Sequence, residues 1–267
     1  MADLLRIAVA GATGRMGLAL VRALSTHTRL ELVACGIRPG THTLAVSHFE
    51  QSGLGFAKGM LTETPEALVR DADCVIDFTR PDYTLELARL VRGKAMVSGT
   101  TGFTPAQKEA LMDGARSANI LWSSNMSVGV NLLMKLVEDA ARALDSAQYD
   151  IEIVEAHHKH KIDAPSGTAL SLGEAAARGR GVDLHDVWVR GRDGISAQRK
   201  AGDIGFAAIR GGDIVGSHDV LFAGEGEQIT LSHHATDRKI FALGALKAAE
   251  WIAGKPNGFY TMKDIIK

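Results

Sequence analysis

The sequence predicts an α/β protein: a doubly wound, mainly parallel sheet, with a second α+β domain of mixed or antiparallel sheet. Three observations carry this reading. From Leu5 to Trp122, short apolar runs end in glycine-rich or polar turns and alternate with helical periodicity, the pattern of a parallel sheet covered on both faces. Glycine is abundant, 29 residues against 6 prolines, which suits tight turns and backbone that approaches a ligand closely. Near residues 125–130 the pattern changes to a long helix followed by strand-like runs between glycine turns. A chain of 267 residues fits one large domain or two ordinary ones. We assign 1–127 to the first domain and 128–235 to the second. Residues 236–267 return to the first, because a last helix after such strands packs back on the opening layer.

In chain order, Leu5-Arg6-Ile7-Ala8-Val9-Ala10 reads as a buried strand. It ends in Gly11-Ala12-Thr13-Gly14-Arg15-Met16-Gly17, which opens a helix carrying Leu18, Leu20, Val21 and Leu24. Strand, glycine turn and helix is the context of a Rossmann-type dinucleotide fingerprint. The glycines let backbone N–H groups meet a pyrophosphate at the helix N-terminus, so Gly11 to Met16 are candidate cofactor residues. The spacing here is G-x-x-G-x-x-G. Leu30 to Cys35 is the second strand, followed by Gly36-Ile37-Arg38-Pro39-Gly40. The acid that would hold a ribose 2′-hydroxyl is missing, and Arg38 favours a 2′-phosphate, so NADPH stands beside NADH as the cofactor. The other reading of Arg38 is a side chain that stacks on adenine or faces water.

Thr41 to Thr64 reads as polar and irregular. Cys74 to Phe78 is a strand ended by Thr79-Arg80-Pro81, and Lys94 to Ser98 is another ended by Gly99-Thr100-Thr101-Gly102. Thr104-Pro105-Ala106-Gln107 matches a capping box with proline at the first helical position. Ile120-Leu121-Trp122 is a strand ended by Ser123-Ser124-Asn125-Met126-Ser127. Ligands of such sheets bind at the carboxyl ends of the strands. The Gly11 turn, Arg38, Thr79-Arg80, Gly99-Thr100-Thr101 and Ser124-Asn125 are therefore expected to line one crevice.

The second half opens with a helix from Val130 to Leu144 and a strand from Ile151 to Val154. That strand delivers Glu155-Ala156-His157-His158-Lys159-His160-Lys161, then Ile162-Asp163-Ala164-Pro165-Ser166-Gly167-Thr168-Ala169. Imidazole titrates near pH 6.5 and exchanges protons at cellular pH. Ser-Gly-Thr after proline reads as a helix start, where free N–H groups attract an anion. His157 and Lys161 are four apart, which in a helical turn places them on one face. Three strand-like runs follow, Ile204 to Ile209, Ile214 to Phe222 and Gln228 to His233, with glycine turns between them. They read as an antiparallel meander. Arg238 to Ile252 returns to helix.

Charge is balanced, with Lys+Arg 30 against Asp+Glu 31, so nothing points to nucleic acid or an anionic membrane surface. No apolar run approaches the roughly 20 residues that span a bilayer, and the first residues lack a signal-peptide layout. Cys35 and Cys74 are the only cysteines, which fits reduced thiols and a cytoplasmic enzyme. Three histidines this close, next to the repelling charge of Lys161, do not suit one tetrahedral ion, so no metal is expected.

The glycine turn, Asp77-Phe78-Thr79-Arg80-Pro81, Gly99-Thr100-Thr101-Gly102 and Asn125-Met126-Ser127-Val128-Gly129-Val130-Asn131 resemble the 4-hydroxy-tetrahydrodipicolinate reductase family. Glu155 to Ala169 matches that family's signature E-A-H-H-x-x-K-x-D-A-P-S-G-T-A. The resemblance runs over nearly the whole chain. It implies an oxidoreductase of lysine biosynthesis by the diaminopimelate route, which reduces a cyclic dicarboxylate with NADH or NADPH and releases water. It implies His157 and Lys161 as the acid/base pair. His158, Lys161, Ser166, Gly167 and Thr168 would be substrate contacts, the last two holding a carboxylate. It implies Gly11 to Met16, Arg38, Gly99 to Thr101, and Ser124, Asn125, Met126 and Ser127 as cofactor contacts. A homotetramer formed through the sheet of the second domain is also implied. The chain departs from the family's pattern at Ile37, where many members carry an acid. The residues themselves leave open which of His157 and Lys161 delivers the proton. They also leave open a non-catalytic NAD(P) sensor or another dehydrogenase of the amino-acid pathways.

Overall fold

The computed structural model describes residues 4–195 and 197–266; residues 1–3 and 267, which the sequence assigns to the first domain, lie outside the described residues. The chain divides into two compact units, one running to Ser127 and resuming at Lys239, the other Val128–Arg238.

The first unit alternates β1 (Leu5–Ala10), α1 (Arg15–Leu24), β2 (Leu30–Gly36), α2 (His42–Gln51), β3 (Leu61–Thr62), α3 (Pro65–Arg70), β4 (Cys74–Asp77), α4 (Pro81–Leu90), β5 (Ala95–Ser98), α5 (Pro105–Gly114) and β6 (Asn119–Trp122). The second holds α6 (Val128–Ala143), β7 (Asp150–His157), α7 (Gly167–Arg180), α8 (Leu184–Val187), β8 (Trp188–Val189), β9 (Ile204–Arg210), β10 (Gly216–Gly224) and β11 (Glu227–Ala235). The chain then closes the first unit with α9 (Lys239–Ile252), β12 (Gly258–Tyr260) and α10 (Met262–Ile265).

Seven parallel strands in the order β12-β6-β5-β4-β1-β2-β3 form the first sheet. Its central strands are apolar on both faces, as a doubly covered sheet requires. On one face Ala8, Ala10, Val75, Met96 and Ile120 pack with Leu68, Leu87 and Leu111 of α3, α4 and α5. Elsewhere in the unit α1 packs against α9. The strand order reverses beside β1, which has β2 on one side and β4 on the other. That is the switch point where such sheets receive ligands. Helix starts are set by sequence: Thr104 and Gln107 form the expected reciprocal capping box on α5, and proline occupies the first turn of α3, α4 and α5. Thr41 to Thr64, which the sequence reads as irregular, contains α2, a 3-10 turn over Gly55–Met60 and β3. The helix buries only Ala45 and Phe49, so its periodicity is too sparse to stand out.

The second sheet has the order β11-β10-β7-β9-β8, with α6 and α7 on one face. Ile151 and Ile153 of β7, Phe206 of β9, and Val220 and Phe222 of β10 meet Val130, Leu133 and Val137 of α6 and Leu172 and Ala176 of α7. The expected antiparallel meander holds for β10 and β11, which pair antiparallel, and is corrected for β9. β9 and β10 do not pair with each other; each takes one edge of β7, so β9 runs parallel to β7 and β10 antiparallel. The sheet is mixed. β7 is buried between two neighbours, and its alternating core residues Ile151 and Ile153 are matched on both sides.

Candidate active site

In the first unit the glycine turn has the geometry its sequence asks for. Gly11 adopts φ 67°, a left-handed conformation that side chains resist. A Cβ on Gly17 would stand 2.3 Å from the Gly11 carbonyl oxygen and 2.6 Å from the Ala12 backbone, so α1 starts directly against the turn. Gly14 occupies the N-cap of α1; no side chain caps it and no acid lies in the first turn. The first-turn N–H groups are thus unclaimed by a capping side chain, which suits a phosphate. Ala12 is fully buried and donates its N–H to Gly36 at 2.9 Å, while Gly14 and Arg15 are exposed and Thr13 and Met16 half-buried. Arg38 is exposed just beyond β2, and Ile37 beside it is buried.

The neighbouring strand ends are held by one carboxylate. Asp77, fully buried at the end of β4, accepts from the hydroxyls of Thr79 (2.5 Å), Thr84 (2.6 Å), Ser98 (2.8 Å) and Thr100 (2.9 Å). It ties the ends of β4 and β5 and the first turns of α4 together. Gly99 leaves room for the Phe78 ring, which a Cβ would meet at 2.2 Å. The Thr100 carbonyl accepts from the Trp122 indole at 2.8 Å, and Thr101 is exposed. After β6, the Ser123 hydroxyl donates to the Asn125 carbonyl at 2.8 Å, and the Ser127 N–H donates to the Asn125 side-chain oxygen at 2.9 Å. Ser124 is exposed, while Met126 and Ser127 are buried. Helix α9 lies on this turn because Gly244 has no side chain; a Cβ there would stand 1.8 Å from the Met126 carbonyl oxygen. The candidate cofactor residues therefore sit at the carboxyl ends of β1, β5 and β6, with Arg38 beyond β2.

In the second unit, β7 continues past Val154 to His157. The helical turn expected to join His157 and Lys161 is corrected: His157 ends a strand, and Lys161 lies in the loop that follows. Strand alternation continues the core face of Ile151 and Ile153 through Glu155 to His157. Glu155 is only 1 % exposed. Its carboxylate accepts from Arg210 Nη1 and Nη2 at 2.8 and 2.7 Å, from the Ser166 N–H at 3.0 Å, and pairs with His157 Nδ1 at 2.6 Å. Burial pushes the Glu155 carboxyl up, but the bonds and charges of Arg210 and His157 outweigh it and hold it below its ordinary value. An ionised carboxylate only accepts, so His157 Nδ1 carries a proton and Nε2 is the atom that exchanges. A Cβ on Gly216 would stand 3.1 Å from that Nε2, so the glycine leaves space beside it.

Lys161 donates to both carboxylate oxygens of Asp163 at 2.8 Å. The hydrogen bond and charge of Lys161 lower the Asp163 carboxyl. Arg238 Nη2 lies 3.2 Å from His158 Nε2. Burial first, then the charges of Arg238 and His160, lower the His158 imidazole. Ser166 is the N-cap of α7, its hydroxyl accepting from the Ala169 N–H at 3.2 Å, and is itself buried. Gly167 and Thr168 are the first two helical residues. Nothing lies within 4 Å of where a Gly167 Cβ would stand. The peptide bond between Ala164 and Pro165 is cis.

Glu155, Arg210, His218 and Asp77 carry much of this geometry, and sequence reasoning gave none of them a role. For Glu155 a signal existed: it is a charged residue on the core-facing parity of β7. Arg210 and His218 come from strands whose pairing with β7 is not readable from local spacing.

The first unit is thus suited to a dinucleotide and the second to a proton beside an anion, the division of labour of a nicotinamide-dependent oxidoreductase. The family described as dihydrodipicolinate reductase matches through its N-terminal part at residues 5–126 and its C-terminal part at 129–266. The chain belongs to this family. It is 54 % identical to the 4-hydroxy-tetrahydrodipicolinate reductase of Dinoroseobacter shibae over 100 % of this chain and 99 % of that protein. It is 52 % identical to that of Parvibaculum lavamentivorans over 98 % and 97 %. Among solved structures it is similar to the dipicolinate-bound dihydrodipicolinate reductase of Paenisporosarcina sp. TG-14, with TM-score 0.77, 25 % identity, and coverage of 99 % of this chain and 100 % of that one. A myo-inositol 2-dehydrogenase from Lactobacillus plantarum shares the fold at TM-score 0.60 and 8 % identity.

Proposed function

We propose that the protein reduces 4-hydroxy-tetrahydrodipicolinate to tetrahydrodipicolinate with NAD(P)H, releasing water, in lysine biosynthesis through diaminopimelate. The observation that carries the chemistry is the 2.6 Å contact between His157 Nδ1 and the buried Glu155 carboxylate. It leaves Nε2 as the acid/base atom. When bound, the nicotinamide supplies a hydride; the residues of this chain supply the matching proton and hold the charges. His157 gives the proton. The Lys161 ammonium turns from Asp163 to clamp a substrate carboxylate, beside the positive charge of Arg238 and with His158 as a further contact. Gly167 and Thr168 offer N–H groups at the start of α7 to a second carboxylate, with Ser166 fixing that turn. A positioned general acid contributes roughly 10²–10⁴-fold in rate.

Gly11, Ala12, Thr13, Gly14, Arg15 and Met16 would receive the pyrophosphate. Gly99, Thr100, Thr101, Ser124, Asn125, Met126 and Ser127 would line the nicotinamide end. The Gly17 contact supports this fit, since a side chain there would force α1 away from the turn on which the pyrophosphate would rest. The test is a coupled assay that generates the unstable substrate in situ and follows NAD(P)H absorbance. Steady oxidation on substrate formation is the expected result; tight NADPH binding with no turnover would mark a sensor instead.

NADPH is expected to serve at least as well as NADH, because Arg38, exposed just beyond β2, would favour a 2′-phosphate and Ile37 offers no acid. Arg38→Ala should raise the KM for NADPH about tenfold, the loss of one charge-assisted contact, and leave that for NADH nearly unchanged. A large kcat/KM advantage for NADH in the unmodified enzyme would refute this reading of Arg38. We also assign homotetramer assembly to the sheet face of the second unit that α6 and α7 leave uncovered, where Ile209 of β9 is 52 % exposed.

A further inference from the structure

We infer that Glu155, clamped by Arg210, is a positioning residue that fixes His157 in its Nδ1-protonated form and ties that imidazole to the anion-binding start of α7. The inference rests on His157 being the proton-carrying group proposed above.

Two strand registers and one helix cap build the cluster. Glu155 lies opposite His218 across the β7–β10 pairing, and His157 lies opposite Arg210 across the β7–β9 pairing. Alternation puts all four side chains on the helix-covered side of the sheet. Ser166 then reaches in from α7. Each Glu155 oxygen is used twice: Oε1 takes Arg210 Nη2 at 2.7 Å and the Ser166 N–H at 3.0 Å, while Oε2 takes Arg210 Nη1 at 2.8 Å and His157 Nδ1 at 2.6 Å. Arg210 Nη2 also donates to the Asp163 carbonyl, in the loop that carries Lys161. One half-buried ion pair thus holds the imidazole, the helix start and the Lys161 loop in a single arrangement. Removing Arg210 leaves the Glu155 carboxylate buried without its main counter-charge.

His218 completes the arrangement by being inert. Its ring meets His157 edge-on, with centroids 5.1 Å apart, and its Nε2 lies 3.0 Å from the Ser166 hydroxyl. It is 4 % exposed, and its Nδ1 has no hydrogen-bond partner. Burial, with the charge of His157, pushes it down to about 4, so it stays neutral where the enzyme works. Of two touching imidazoles, the one against Glu155 carries the proton and the other spaces it.

The charged and titratable groups around His157 are Glu155 on its own strand, Arg210 on β9, His218 on β10, and His158, Lys161 and Asp163 on the loop; α7 contributes only the neutral Ser166. This gives a test that a merely structural role does not pass. Glu155→Gln keeps the shape, removes the counter-charge and leaves Arg210 beside the imidazole. Arg210→Gln keeps the carboxylate and removes the competing cation. The His157 titration midpoint, read by NMR of the ¹⁵N-histidine-labelled full chain, should fall by about one unit in the first variant and rise in the second. The alkaline limb of the kcat profile should move the same way, because a general acid must be protonated to act. In Glu155→Gln, kcat should fall roughly 10²-fold with a smaller change in KM. Midpoints that stay put, or that move together, overturn the inference. If Glu155→Gln does not fold, the wild-type ¹⁵N shifts decide: a neutral His157 protonated on Nε2 rather than Nδ1 refutes it. A His157→Ala variant separates the two levels. Full turnover in that variant overturns the functional reading, whereas its loss without opposed midpoint shifts overturns only the role of Glu155.

Discussion

Lys161→Ala should lower turnover at least about a hundredfold while NADPH binding survives. The ammonium sits 2.8 Å from both oxygens of Asp163, and its side chain is 21 % exposed. It is therefore held ready by a partner that is itself on a loop. A dicarboxylate substrate competes for that ammonium as a second, stronger anion. Without Lys161 the substrate meets the uncompensated Asp163 carboxylate instead, so the variant loses an attraction and gains a repulsion. Cofactor binding has no reason to change, because the glycine turn and strand ends of the first unit are untouched. Nucleotide fluorescence titration and the coupled assay measure the two halves separately. Near-normal turnover would sink the assignment. Lys161→Arg then divides charge from proton transfer, since a guanidinium keeps its proton in proteins. Recovery of both KM and kcat identifies a clamp; recovery of KM alone identifies Lys161 as the donor and returns His157 to an orienting part.

The sequence was most legible where one local device sets the structure. The β1 run followed by three spaced glycines could hardly be other than a strand, a tight turn and a helix. The Thr104 and Gln107 box fixed the start of α5 before any contact was known. Local signals failed where partners come from afar. β9 and β10 are separated by a glycine turn that looks like a hairpin, yet each pairs with β7. Once β7 is central, its core-facing parity extends beyond the isoleucines to Glu155 and His157. The dense polarity of that end hid the alternation and suggested a helical turn. The chemistry-bearing residue types were visible in the signature, but the assignment of Glu155 to His157 depends on Arg210, and that pairing is a property of the sheet. Asp77 is the same lesson in the first unit. It closed an apolar strand in the sequence, and only the fold shows four hydroxyls converging on it.

Gly17→Ala should weaken NADPH binding by one to two orders of magnitude, roughly, and lower the melting temperature by several degrees. The reasoning starts from what the methyl would strike. Its carbon would lie 2.3 Å from the Gly11 oxygen and 2.6 Å from Cα and carbonyl carbon of Ala12, all backbone atoms. A side chain in that place could swing away; a turn cannot, because Gly11 already holds φ 67° and the Ala12 N–H is bonded to Gly36 at 2.9 Å. The strain must lift α1 from the turn. Leu20, Val21 and Leu24 anchor that helix in the core, so lifting it costs packing as well as moving the first-turn N–H groups. Gly14→Ala is milder, with its nearest contact at 3.2 Å and an extended backbone, φ −75°. Gly59→Ala is the control, with nothing within 4 Å of its Cβ position. The expected order of affinity loss is Gly17 well above Gly14, and Gly59 without effect. Wild-type NADPH affinity in Gly17→Ala would mean that the pyrophosphate does not rest on this turn. A loss shared equally by all three variants would mean that the close approach of α1 is not what builds the cradle.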